Sequence, residues 1–172
     1  MSGPPSIRHA TKEDVPTILG FIRAGAAATS CADRVKATES SLEATLIFGE
    51  PGSSQTPQSG FARTLLLIAP EGETAGMAVY YYNYSTWLAQ PGVFLEELYV
   101  SPDYRRRGYA KLLIRELAKQ ARKVSGGKLE WVCLRDNATA LKLYESLGAK
   151  RMEDWVTLRV DGEALDNLLD EK

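Results

Sequence analysis

Two apolar and aromatic runs, residues 61–69 and 74–84, flank Pro70-Glu71-Gly72-Glu73, a pattern that predicts two strands joined as a hairpin. A third strand is expected over residues 93–100, after Gln90-Pro91-Gly92. From residue 110 the spacing turns helical. Ala110, Leu113, Ile114, Leu117, Ala121 and Val124 share one face and Lys111, Arg115, Lys119 and Arg122 the other, so a helix over 110–124 packs on the sheet. Upstream, a short strand is expected over residues 6–10. Thr11-Lys12-Glu13-Asp14 then signals the start of an amphipathic helix through Ile18, Leu19 and Ile22, with Pro16 early in it. Residues 24–48 open with small side chains, Ala26-Ala27-Ala28-Thr29-Ser30, and predict a loop and then a second helix carrying Val35, Leu42 and Leu46. Residues 50–60, rich in Pro, Gly, Ser and Gln, predict a surface loop. Towards the end come a buried strand over 129–134, a helix over 138–147 capped by Asn137 and stopped by Gly148, and a closing strand over 155–160. The order is an α+β layout with no internal repeat.

A chain of 172 residues fits one domain, expected over residues 1–172, with room for a core and a small-molecule cleft. Its 21 Lys plus Arg against 22 Asp plus Glu give a net charge of −1, which argues against a nucleic-acid surface. No apolar run reaches bilayer-spanning length and the first residues do not resemble a secretory signal, so a cytoplasmic protein without a membrane segment is expected. Two cysteines without a CxxC spacing, Cys31 and Cys133, and a single histidine, His9, predict no metal site and no disulfide framework.

The segment Arg105-Arg106-Arg107-Gly108-Tyr109-Ala110 lies between an expected strand and an expected helix. A helix start carries unsatisfied N–H groups and a partial positive charge, so a phosphate gains hydrogen bonds there without a metal. Gly108 permits close backbone approach, and the arginines are forked, permanently charged donors. This turn predicts a pyrophosphate cradle.

Arg105, Gly108 and Ala110 match the pattern Arg or Gln, two residues, Gly, one residue, Gly or Ala. Together with Leu98-Tyr99-Val100-Ser101-Pro102-Asp103-Tyr104 and the stretch from Asn137 to Ala149, the chain resembles the GNAT superfamily of acetyl-CoA-dependent acetyltransferases. Tyr80-Tyr81-Tyr82-Asn83-Tyr84-Ser85-Thr86-Trp87 and Leu95-Glu96-Glu97-Leu98-Tyr99-Val100 narrow the resemblance to the spermidine/spermine and thialysine acetyltransferase branch. Ser85-Thr86-Trp87, and Val35-Lys36 followed by Glu39, Leu42 and Ala44, are more similar to the thialysine members. The resemblance implies a GNAT fold, with a mixed, mostly antiparallel central sheet flanked by helices. It also implies acetyl-CoA as co-substrate, a small-molecule amine as acceptor, and a homodimer whose partners complete each other's substrate sites.

The same resemblance places cofactor contacts at Leu98, Tyr99 and Val100, at Arg105, Arg106, Arg107, Gly108, Tyr109, Ala110 and Lys111, and at Asn137 and Tyr144. A backbone N–H near Leu98 would face the thioester carbonyl, an oxyanion contact of a kind that contributes about 3 kcal/mol. Tyr144 falls where the family has its general acid. An ordinary phenol, pKa ~10, gives its proton uphill to a thiolate of pKa ~8.5, so hydrogen bonding to the thiolate is the alternative role. Glu96 is the candidate base, acting through water, and Glu97 a candidate cation-binding group. Regular alternation puts the two on opposite faces of the sheet. Most of Tyr80, Tyr81, Tyr82 and Tyr84 are expected in the sheet core, whereas Trp87 and Ser85 are expected beside substrate, the indole attracting an ammonium. Two other readings compete: a protein or peptide amine as acceptor, and a silent acetyl-CoA-binding module.

Overall fold

A computed structural model describes residues 3–52 and 59–170, so residues 53–58 of the loop expected over 50–60 lie outside the described residues. The chain divides into two compact units, with the boundary in sequence between Val132 and Cys133.

Among the described residues, the first unit is built on a six-stranded sheet. Its strands are β1 (Ser6–His9), β2 (Leu46–Ile47), β3 (Ala62–Ile68), β4 (Thr74–Ser85), β5 (Gln90–Val100) and β6 (Leu129–Trp131). They run in the order β1-β3-β4-β5-β6, antiparallel up to β5 and parallel between β5 and β6, while β2 pairs in parallel with β3 beside β1. Leu65, Leu66 and Leu67 of β3 are all buried because both faces of the sheet are covered. On one face, Leu65, Leu67, Ala78, Tyr80, Val93 and Leu95 pack with Tyr109, Leu113, Leu117 and Ala121 of α3 (Tyr109–Lys123). On the other, Leu66, Met77 and Tyr99 pack with Val15, Ile18 and Leu19 of α1 (Val15–Ala28) and Leu42 of α2 (Glu39–Thr45).

α1 is entered through a single tight turn, Lys12–Asp14, in which Asp14 accepts from the Thr11 N–H at 2.8 Å and is gripped by both Arg8 nitrogens at 2.6 and 2.8 Å. The Arg8 guanidinium holds the Asp14 carboxyl down at about 2. Pro16 sits in the first turn, as expected, where a missing N–H costs nothing. His9 is a core residue, its Nε2 hydrogen-bonded to the buried Tyr80 hydroxyl at 2.9 Å. Cys31 and Cys133 are free thiols.

Several expectations need correction. α1 continues to Ala28, through small residues read as a loop, because alanine is the best helix former and does not by itself end a helix. The second helix is only Glu39–Thr45, and Leu46 and Ile47, expected within it, pair with Ala62 and Arg63. Of the tyrosines, only Tyr80 is fully buried, since the outer half of the β4–β5 hairpin extends beyond the covering helices and leaves Tyr82 and Tyr84 exposed. The strand expected over 129–134 ends at Trp131, with Val132 and Leu134 exposed.

The second unit holds α4 (Ala138–Glu145) and α5 (Glu163–Asp170). Asn137 caps α4, its side chain accepting from the Ala140 N–H at 3.1 Å. No strand is found over 155–160, and Trp155, Val156, Leu158 and Val160 are exposed. Alternation predicts a strand only where a neighbour pairs its backbone, and no paired strand is described in this unit. α5 has no counterpart among the expected elements, although Leu165, Leu168 and Leu169 carry a helical spacing.

Candidate active site

The three-residue turn Pro102–Tyr104 follows β5 and leads into Arg105-Arg106-Arg107-Gly108, where α3 begins. Gly108 is the N-cap at φ 81°, in the left-handed region where glycine carries no steric cost, and no side chain caps the helix start. A Cβ on Gly108 would meet nothing within 4 Å. The first amides of α3 are thus left for an anion. The three arginines differ in commitment. Arg105 donates from Nε to the Val100 carbonyl at 3.0 Å. Arg107 pairs with Glu71 at 2.8 Å and lies 4.9 Å from the centre of the Tyr104 ring. Arg106, at φ 61° and exposed, makes no hydrogen bond or ion pair among the described residues and is the arginine left for a phosphate. Tyr109 is a core side chain, so only its backbone remains for a ligand. Ala110 and Lys111 follow in the first turn, both half-buried.

β5 changes character at Glu96. Val79 pairs with Glu97 and Tyr80 with Leu95, so Glu96 has no partner and bulges. β6 pairs with Val93, Phe94 and Leu95 and no further. The Ser101 N–H reaches the Ala75 carbonyl at 2.9 Å, so by alternation Tyr99 and Glu97 also direct their N–H groups to β4, whereas Leu98 and Val100 direct theirs to the side that β6 has left. The Val100 carbonyl on that side is the one taken by Arg105. Leu98 therefore presents its N–H at an edge where no strand among the described residues pairs it, while its side chain anchors in the core under α3.

The bulge also overturns the expectation that Glu96 and Glu97 point to opposite faces. Leu95 and Leu98, three residues apart, both pack against the α3-side core, and Tyr99 lies in the other core. One extra residue between them removes both glutamates from the α3 face. Glu97 reaches α1, and burial followed by the nearby Glu96 charge pushes its carboxyl up to about 7. Glu96 is exposed, and its charge also helps burial to raise the Tyr81 hydroxyl. Tyr81 stacks on Phe94 at 5.1 Å, and Phe21 of α1 lies 5.1 Å from Tyr99. Two carboxyls bordered by aromatic rings form a place for an aliphatic cation.

Ser85 and Trp87 are not gathered here. They stand at the tip of the β4–β5 hairpin, where the Ser85 Oγ accepts from the Leu88 N–H at 3.3 Å and Trp87 is 86% exposed. From Ser85 to Val79, the partner of Glu97, is about 20 Å along the strand. In the second unit, Tyr144 lies on α4 after the Asn137 cap, and burial and then the neighbouring Cys133 raise its hydroxyl above the ordinary phenol value. Sequence reasoning missed Gly25, whose missing side chain gives room to Glu97. The small residues from Ala24 on read as a loop, so the one signal, a glycine inside a helix, emerged only once α1 was seen to run to Ala28.

Among the described residues no helix is long and apolar enough to cross a membrane, and no group of three or more His, Cys, Asp or Glu is placed to hold a metal. The model of the acetyltransferase (GNAT) family matches residues 37–149. A thialysine N-epsilon-acetyltransferase from Bos taurus is 34% identical, covering 94% of this chain and 95% of its own. The L-ornithine N5-acetyltransferase NATA1 of Arabidopsis thaliana is 30% identical, covering 92% and 85%. An integron cassette protein from the mobile metagenome of V. cholerae shares the fold, with a TM-score of 0.75 over 99% of both chains at 22% identity. The α+β sheet, the open helix start and these relatives agree, and the chain belongs to the acetyltransferase (GNAT) family as an N-acetyltransferase.

Proposed function

We propose that this enzyme moves an acetyl group from acetyl-CoA directly to a primary amine of a small molecule, a thialysine-like or lysine-like amino acid or a short diamine. The observation that carries this reading is the pair Glu96 and Glu97, displaced together by a bulge beside the outward N–H of Leu98. Curated relatives named for thialysine and ornithine acetylation support the acceptor class.

The residues present fit acetyl-CoA. Uncapped amides from Gly108 to Lys111 and the uncommitted Arg106 suit its pyrophosphate, and the outward backbone N–H groups of Leu98 and Val100 suit the extended arm, whereas the backbone of Tyr99 is turned to β4. The co-substrate supplies an acetyl group activated as a thioester. The Leu98 N–H is the donor for the carbonyl oxygen as charge develops there. The two carboxylates attract the ammonium and one of them takes its proton, leaving the neutral nitrogen that a nucleophile requires. In the reading that the resemblance gives it, Tyr144 hydrogen-bonds the departing sulfur. Its raised hydroxyl favours that donor role over full proton release. A homodimer is the arrangement under which Ser85 and Trp87 reach an acceptor, since within one chain they lie about 20 Å from the carboxyls.

A thiol-release assay with acetyl-CoA against thialysine, ornithine, diamines, polyamines and peptide amines tests the reading. Turnover with the small amines supports it, and turnover confined to peptide amines overturns the acceptor class. Tyr144→Phe lowers kcat with acetyl-CoA affinity kept; unchanged kcat removes Tyr144 from the mechanism.

A further inference from the structure

Glycine inside a helix is the poorest choice short of proline, yet α1 carries two, Gly20 and Gly25. They differ in what surrounds them. A Cβ on Gly20 would meet nothing within 4 Å. A Cβ on Gly25 would stand 2.6 Å from Glu97 Oε1, 3.9 Å from Glu97 Cδ and 3.6 Å from Tyr99 Cδ2. The Glu97 carboxyl therefore fills the space that any other residue at position 25 would claim. The contact is with the far end of a flexible side chain, so a methyl group at position 25 displaces the carboxyl, not the helix.

Resting on the acetyltransferase reading above, we propose that Gly25 is a positioning residue: the notch it leaves in α1 seats Glu97 as the carboxylate that accepts the acceptor's ammonium proton, with Glu96 as its charged neighbour. The groups around Glu97 agree. Glu96 and the Tyr99 phenol lie on β5 itself, and the Tyr81 hydroxyl on β4 is raised by burial and then by the Glu96 charge. α1 carries one charged residue, Arg23, which is exposed, as are Glu39 and Glu43 of α2. A carboxyl held near neutrality by burial and a like charge is matched to a base that works near pH 7. The proton passes from nitrogen to a carboxylate oxygen, and the N–H electron pair stays on nitrogen as the attacking lone pair. Glu97 then returns the proton to solvent when product leaves.

The test compares wild type, Gly25→Ala, Glu97→Asp and the double variant, with thialysine and cadaverine as acceptors. It reads the Glu97 side-chain carboxyl titration by 13C NMR alongside the pH profile of kcat. Gly25→Ala is expected to lower the Glu97 titration midpoint towards ordinary glutamate, move the acid limb of kcat with it, and cut kcat at pH 7 by about tenfold, with acetyl-CoA affinity unchanged. Glu97→Asp in the Gly25→Ala background shortens the side chain away from the new methyl and restores much of the loss. A midpoint and limb unmoved by Gly25→Ala, or losses that simply add in the double variant, overturn the proposal while leaving the acetyltransferase reading intact. Absence of acetyl transfer to any amine sinks that reading and the proton step together, and the NMR midpoint still decides whether Gly25 seats the carboxyl.

Discussion

The basic turn before α3 and the acidic bulge of β5 lie close in sequence, yet they are made in different ways. The turn is local. The anion-binding role proposed for it rests on the backbone of Gly108 to Lys111 and on one uncommitted side chain, Arg106, so a short string of residues specifies it. The bulge is tertiary. It needs one extra residue of β5, Glu96, opposite the Val79–Tyr80 step of β4, a β6 that pairs no further along β5 than Leu95, and a glycine from α1 to make room for Glu97. The difference teaches that the two sites should fail independently, one through co-substrate affinity and the other through turnover and its dependence on pH.

The strongest way to break this separation is Glu97→Gln, expected to lower kcat by about 100-fold with acetyl-CoA affinity within twofold of wild type by calorimetry. A comparable fall in affinity would merge the two sites. Arg106→Ala is its counterpart, expected to weaken acetyl-CoA about tenfold, less so at high salt, with kcat at saturation nearly kept. Arg107→Ala should do less to that affinity, because Arg107 is already paired with Glu71.

Stability sharpens the same contrast. The Glu97 carboxyl is raised to about 7 from 4.5, so its ionisation opposes folding. Any stability held below pH 4.5 is lost as pH rises through 7. Glu97→Gln is therefore expected to gain about 1–2 kcal/mol relative to wild type at pH 8 and little at pH 4, a range reduced because the carboxyl is partly solvated. Urea unfolding at both pH values reads this directly. The smallest effect belongs to Asp14, whose carboxyl lies at about 2, below its ordinary 3.8. Its contribution is present above 3.8 and fades as pH falls through 2. Asp14→Ala should cost about 1 kcal/mol at pH 7, without altering affinity or turnover.

Legibility followed the range of the interactions. The long helix after residue 108 shows in the spacing of Leu113, Ile114, Leu117 and Ala121, all of them buried. The hairpin of β3 and β4 was marked by its turn residues, and Asn137 by its place before a helical run. Trp155 to Val160 misled, because alternation without a paired neighbour does not make a strand. Glu96 and Glu97 misled in a subtler way. Strict alternation holds for a regular ladder, and one unpaired residue cancels it.

The sequence by itself determined the family, the central strands β3, β4 and β5, and the helix α3 with the turn that opens it, because helix periodicity and turn chemistry are properties of neighbouring residues. Only the tertiary structure decided that both glutamates leave the α3 face, that the Leu98 N–H meets an unpaired edge, and that Gly25 and Glu97 share one space. Each of those depends on where one strand's register stands against another, or on what a helix presents across a sheet. Residues far apart in the chain set such distances together, and no local spacing records them.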